Sequence, residues 1–271
     1  GVVPVPDERL DKLGALYNTK KVTPAAIEFV DIAGLLKGAS KGEGLGNQFL
    51  ANIREVDAIV HVVRCFQDDN IVHVDGSVNP VRDKEIIDTE LQLKDLETVE
   101  NRIKKVEKLA NVGGDKQAKI EFGVLTAYKN ALEQGQSART VVFDTEDEVA
   151  AAKNLFLLTT KPVLYVCNVD DASAANGNAY VDAVREAVKD EHAELLIISA
   201  QTESDIAELE TYEEKQMFLE DMGLEESGCN RLIKAIYSLL NLETFITAGE
   251  MEVKAWTYHK GWKAPQCAGV I

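Results

Sequence analysis

The sequence predicts an α/β fold in which a mostly parallel sheet is interrupted by an antiparallel helical hairpin. Three observations predict it. Apolar, β-branched runs end in turn residues, as strands buried on both faces of a parallel sheet do. An amphipathic helical pattern separates the last two of these runs, which makes a strand–helix–strand unit. The middle of the chain changes to a long charged stretch with a coiled-coil repeat.

The elements follow in order. AAIEFVDIAG (residues 25–34) reads as a buried strand meeting a glycine turn, and DAIVHVVRCF (57–66) as a second strand. From about Lys84 to Gln134 the pattern is helical: Leu96, Val99, Ile103, Val106 and Ala110 recur at 3-4-3-4 spacing. NVGGD (111–115) breaks the repeat, and Ile120, Val124, Ala127 and Ala131 resume it at 4-3-4, the pattern of a returning helix. KPVLYVCNVD (161–170) and AELLIISA (193–200) are strands, with Val181, Val184 and Val188 on the helix between them. LIKAIYSLLNL (232–242) is an apolar helix that closes the α/β unit. Phe245 to Ile271 turns strand-like and then turn-rich, the opening of another small domain that ends before it can bury a core. The expected division is 1–83 and 156–244 for the α/β domain, 84–155 for the helical insertion and 245–271 for the tail.

Composition narrows the functional classes. The chain has 271 residues, 45% of them hydrophobic, enough for a buried core. No run approaches the roughly 18 apolar residues of a membrane span, and GVVPVPDERL has neither the basic start nor the apolar core of a leader. Cys65, Cys167, Cys229 and Cys267 are far apart with no CxxC, so free thiols and a cytoplasmic setting are expected, with no membrane partner. Lys and Arg number 29 against 46 Asp and Glu, a net charge of −17. Phosphate repulsion therefore opposes coating of nucleic acid, and DNA is not an expected partner. A local basic run, Arg102 to Lys108, reads as a solvated helix face.

Three motifs stand at strand ends. Asp31-Ile32-Ala33-Gly34 is a DxxG after an apolar strand: such an Asp holds Mg²⁺ through water, and the Gly brings a backbone N–H to a γ-phosphate. Asn168-Val169-Asp170-Asp171 is an NxxD, whose carboxylate can accept the two N–H groups of guanine. Ser199-Ala200 ends the next strand, where small residues let the backbone approach a base. Each is weak alone. Their order, one per strand, is that of the G3, G4 and G5 elements of a P-loop NTPase of the G-domain type, whose ligands bind beyond the carboxyl ends of the strands.

The stretch 35–50 carries Gly38, Gly42, Gly44 and Gly46. Its GxGxG spacing and its place after DxxG exclude a dinucleotide fingerprint and suit a switch that orders around a γ-phosphate. DIAGLLKGASKGEGLGNQFL looks like the Obg-type switch II signature. With VPVPDERL, RCFQDDNIVHV and FITAGEMEVKAWT, the chain resembles the Obg-like ATPases, also called the YchF type, over essentially its whole length. That resemblance implies an ATPase that works on the ribosome, its large subunit first, with RNA among its contacts and a role in translation or stress. It also implies Mg²⁺ as cofactor and a tail that opens a β-grasp (TGS) domain. Adenine would meet the Asn168 side chain and the Val169 backbone, with Phe66 lining the base pocket.

Two departures from the family pattern stand out. The family's NxxE is here NxxD, so Asp171 leaves GTP open beside the favoured ATP. A glutamine that orients water in Ras-like hydrolases is here Leu35. The resemblance points to His73 instead, as a neutral imidazole acting on water; the other reading is a loop histidine packed between Val72 and Val74. His61, inside AIVHVV, reads as a core or sheet-edge residue. No GxxxxGK[ST] occurs in these residues, although that loop cradles the β- and γ-phosphates. The expectation is therefore a fragment truncated at both ends, with little nucleotide affinity of its own. A non-hydrolysing ribosome- or RNA-binding scaffold is the reading from another functional class.

Overall fold

The structure, a computed structural model, describes residues 1–32, 45–112, 114–191 and 193–271, with only the backbone at 45–48 and 112. Its central sheet is parallel, in the order β4 (Ile59–Arg64), β5 (Val163–Asn168), β6 (Glu194–Ile198). Arg64 pairs with Asn168 and Asn168 with Ile198, so the three strands finish level with one another. Val163 to Cys167 are all buried, which is why β5 reads as an uninterrupted apolar run. One face of the sheet packs Val63, Tyr165 and Cys167 on Val181, Val184 and Val188 of α6 (Ala179–Val188). The other packs Leu164 and Val166 on Ala235 and Ile236 of α9 (Gly228–Leu239).

The inserted hairpin consists of α3 (Pro80–Val112) and α4 (Lys116–Glu133), capped at its return by Asp115, whose carboxylate accepts the N–H groups of Gln117 and Ala118. Val99, Val106 and Ala110 are buried against Val124, Leu125, Tyr128 and Leu132. α5 (Glu146–Lys153) adds Ala151 and Ala152 to that seam. Two buried polar groups root α3 in the sheet. Lys84, 5% exposed, binds Asp88 at 2.5 Å and Glu191 at 2.6 Å. Asp95, 1% exposed, accepts N–H groups from Leu158 at 2.8 Å and Thr159 at 2.7 Å, and the Thr159 hydroxyl at 2.7 Å. Burial pushes the Asp95 carboxyl up, against these donors.

Two expectations need correction. The run 25–34 does not form a strand buried on both faces: β3 (Ala26–Glu28) pairs antiparallel with β1 (Val2–Pro4) in a two-stranded ribbon. Among the described residues one face of that ribbon is covered, with Ile27 and Phe29 packed in the α9 core, and its residues alternate between half-buried and exposed. The tail does bury a core. β7 (Leu242–Ala248) and β8 (Val253–His259) form a hairpin, and β2 (Val22–Thr23) joins β8 in parallel. Val253 and Ala255 pack there on Leu10 of α1 (Glu8–Tyr17) and on Ala25, so the tail draws its core from the amino-terminal segment.

Candidate functional site

At the carboxyl ends of β5 and β6 the two later motifs are joined by hydrogen bonds. The Ala200 N–H donates to Asn168 Oδ1 at 3.0 Å. Ser199 is the N-cap of α7 (Ala200–Glu208): its oxygen accepts the Thr202 N–H at 3.1 Å while its hydroxyl donates to Asp171 Oδ1 at 2.6 Å. Thr202 Oγ1 donates to the same oxygen at 2.7 Å. These hydroxyls, Ser199 first, hold the Asp171 carboxyl below the usual range, so it is an anion at neutral pH. Val169 turns inward: it is buried, and its N–H donates to Ile198 O at 3.0 Å.

The neighbouring turn is held by backbone and arginine contacts. The Cys65 N–H donates to Asn168 O at 2.7 Å, which brings Phe66 beside the end of β5. Arg64 lies over the Phe66 ring, 4.7 Å from its centroid, and donates to the carbonyls of Phe66, Asp68 and Ile71. Behind α7, Glu203 Oε1 and Oε2 accept the Gly228 and Cys229 N–H groups at 2.6 and 3.0 Å and so begin α9. A Cβ at position 228 would sit 2.8 Å from Ile198 Cγ2 and 2.9 Å from Glu203 Oε1, so a side chain there forces a neighbour to move.

On the other side of β4 a cleft of about 1300 Å³ separates that strand from β3. Asp31, Arg64, His61 and His73 line it. Asp31 is exposed and has no hydrogen bond or ion pair among the described residues, which suits an outer ligand of a hard divalent cation. Gly34, Leu35 and most of the glycine-rich stretch lie outside the described residues. His73 is held at both ring nitrogens: Nδ1 accepts the Asp75 N–H at 3.1 Å, so Nε2 carries the proton and donates to Asp83 at 2.8 Å. His73, Asp75 and Asp83 sit close enough to share a cation, but the Arg82 guanidinium already binds Asp83 at 2.9 Å and reaches Asp75 at 3.8 Å. The cluster is charge-satisfied by arginine. His61 packs on the Tyr165 ring at 5.6 Å, a sheet-edge residue.

Asn168, Asp171, Ser199 and Ala200 thus come together directly, while Asp31 borders a cleft it shares with Arg64 and His73. Thr202, Arg64, Glu203 and Asp95 were not read from the sequence. For Thr202 a signal existed, three residues after the N-cap serine, where a hydroxyl turns back toward the strand ends. Among the described residues no helix is long and apolar enough to cross a membrane, and all four cysteines are free.

Comparison with known proteins gives a consistent picture. Residues 14–102 match a family model described as "50S ribosome-binding GTPase". Residues 242–271 match the carboxyl-terminal YchF-GTPase model, described as a protein of unknown function. A Bacillus subtilis (strain 168) protein called "Ribosome-binding ATPase YchF" is 57% identical over 273 residues, covering 100% of this chain and 74% of that protein. The Escherichia coli O157:H7 protein of the same name is 52% identical over 271 residues, with 100% and 74% covered. The solved structure titled "Structure of the Schizosaccharomyces pombe YchF GTPase" superposes with a TM-score of 0.86 at 38% identity, covering 99% of this chain and 72% of that one.

Proposed function

The chain belongs to the YchF family of ribosome-binding ATPases, and from that premise we propose that it is the switch portion of an Mg²⁺-dependent ATPase acting on the large ribosomal subunit in the cytoplasm. One observation carries the reading: Asn168, Asp171, Ser199 and Ala200 form a hydrogen-bonded junction where two parallel strands end together. In this reading the Asn168 amide donates to an adenine ring nitrogen, and the Val169 carbonyl accepts from the 6-amino group. Phe66, stiffened by Arg64, covers one face of the base. Asp31 would hold Mg²⁺ through water and Gly34 would offer its N–H to the γ-phosphate, the metal when bound supplying positive charge for the phosphate oxygens. His73 orients the attacking water once the Asp75 N–H releases its Nδ1.

The experiment is calorimetric titration of the complete gene product with ATP and GTP in Mg²⁺, together with phosphate release in the presence of separated ribosomal subunits. ATP binding in the micromolar range and hydrolysis stimulated by the large subunit are expected. GTP binding without any ATP binding overturns the nucleotide, and stimulation by the small subunit alone overturns the partner. A scaffold reading would predict neither binding nor hydrolysis.

A further inference from the structure

We propose that Asp83, in the first turn of α3, is the positioning residue for His73: it fixes the imidazole tautomer so that the lone pair lies on Nδ1, the nitrogen that acts on water. The inference rests on the proposed role of His73 and adds the group through which that role is set. His73 lies in the loop between β4 and α3, and the two side chains meet at the cleft that Asp31 also lines. Asp83 Oδ2 accepts from His73 Nε2 at 2.8 Å. Its Oδ1 accepts from Arg82 Nε at 3.1 Å and Nη2 at 2.9 Å, so the carboxylate cannot rotate without breaking one contact or the other. The same guanidinium donates to Ser77 O at 2.7 Å and Ser77 Oγ at 3.2 Å, which ties the histidine loop to the helix. The helix start is fixed in turn: Asn79 Oδ1 accepts the Arg82 N–H at 3.1 Å, and Asn79 O accepts the Asp83 N–H at 3.0 Å. Lys84, the next residue, is held by Asp88 and Glu191. The His73 and Asp83 side chains are 17% and 22% exposed, so water competes poorly for the bond between them.

A carboxylate only accepts, so it admits the proton on Nε2 and leaves Nδ1 bare. The Asp75 N–H fills that lone pair in the structure. Exchange of this donor for a water turns the lone pair on the nucleophile with no change at Nε2. An amide in place of the carboxylate offers N–H as well as C=O. Its N–H would draw the lone pair to Nε2 and move the proton to Nδ1, where the ring can no longer accept from water. Asp75 cannot replace Asp83 in this role, because it meets the ring through its backbone while its carboxylate faces Arg82 at 3.8 Å.

The test uses the complete gene product in Mg²⁺, with steady-state ATP hydrolysis measured for the natural protein, His73→Ala, Asp83→Asn, Asp83→Glu and the double variant His73→Ala/Asp83→Asn. Asp83→Asn should lower kcat at least about tenfold and leave the KM for ATP within about twofold. The double variant should turn over no more slowly than His73→Ala alone, because a residue that acts through the imidazole has nothing left to act on. Asp83→Glu, still an acceptor-only carboxylate, should recover part of the loss. Imidazole nitrogen resonances of histidine-labelled protein, with His73 assigned from its absence in His73→Ala, give a second readout that needs no turnover. They should report a proton on Nε2 in the natural protein and in Asp83→Glu, and on Nδ1 in Asp83→Asn. A further equal loss when Asp83→Asn is added to His73→Ala shows a merely structural aspartate and overturns the proposal. A proton on Nδ1 in the natural protein, or one that stays on Nε2 in Asp83→Asn, overturns it as well. Unchanged turnover in His73→Ala removes His73 from the proposed function and this inference with it, whereas a slow His73→Ala beside a fully active Asp83→Asn overturns this inference alone.

Discussion

Replacing Asp95 by alanine should loosen the whole hairpin from the sheet. The carboxylate reaches 63 and 64 residues along the chain to two backbone N–H groups and adds the Thr159 hydroxyl. The hydroxyl can turn elsewhere, but its oxygen also accepts the Ala138 N–H, and the Leu158 and Thr159 N–H groups have no second partner among the described residues. Each buried N–H left unpaired costs about 1–3 kcal/mol, and relief of the carboxylate's own desolvation offsets part of the sum. A net loss of roughly 3 kcal/mol follows. Urea unfolding read by two probes checks it, because the chain's 2 tryptophans, Trp256 and Trp262, lie in the tail, whereas the hairpin contributes the two longest helices to the ellipticity at the helix band. Asp95→Ala should move the helical transition to lower urea and leave the tryptophan transition near its original midpoint. A loss under about 1 kcal/mol would refute the reasoning, as would an equal shift of both probes.

The remaining predictions concern the sheet and its neighbours. Lys84→Met removes the buried ammonium between the half-buried carboxylates of Asp88 and Glu191 and should cost about 2 kcal/mol in urea unfolding; an unchanged midpoint counts against an ion network centred on Lys84. Burial holds the His61 imidazole below its ordinary pKa, so the unfolded chain takes up its proton first as pH falls. The folded state should therefore lose about 1 kcal/mol between pH 7.5 and 5.5, and His61→Gln should flatten that slope; an identical slope in the variant would remove His61 as its cause. Gly228→Ala drives a methyl into Ile198 and should cost about 1–3 kcal/mol, with nucleotide affinity falling in parallel because β6 carries Ser199 at its end. A fully stable Gly228→Ala protein would mean that α9 can shift freely.

The hairpin was legible because its periodicity is local: Val99, Val106 and Ala110 mark the seam whatever lies around them. β5 was legible because burial on both faces demands an unbroken apolar run. The tail core was not, since Val253 and Ala255 are completed by Leu10 and Ala25, more than two hundred residues earlier, and no local pattern carries that pairing. β3 misled because an apolar run cannot show whether both of its faces are covered or one. Asp95 was hidden by its charge, although it stands four residues after Leu91 and four before Val99, both buried, and a carboxylate on an apolar stripe signals internal donors. The NxxD and Ser199-Ala200 motifs were readable together because they follow the adjacent parallel strands β5 and β6, whereas Asp31 lies beyond β3 in a separate two-stranded ribbon; the Thr202 contact was not readable, because it depends on how far α7 turns back on β5.

The cleft beside β4 has a further meaning for the behaviour of these residues in solution. β4 gives its ladder to β5 alone, and Val62, 60% exposed, stands on the flank that no described strand covers. A strand edge left unpaired among the described residues is a template that an extended segment can copy. A strand approaching from that side would have to pass the carboxylates of Glu28, Asp31, Asp57 and Asp88, which line the same cleft, so negative charge guards the edge where no described strand does.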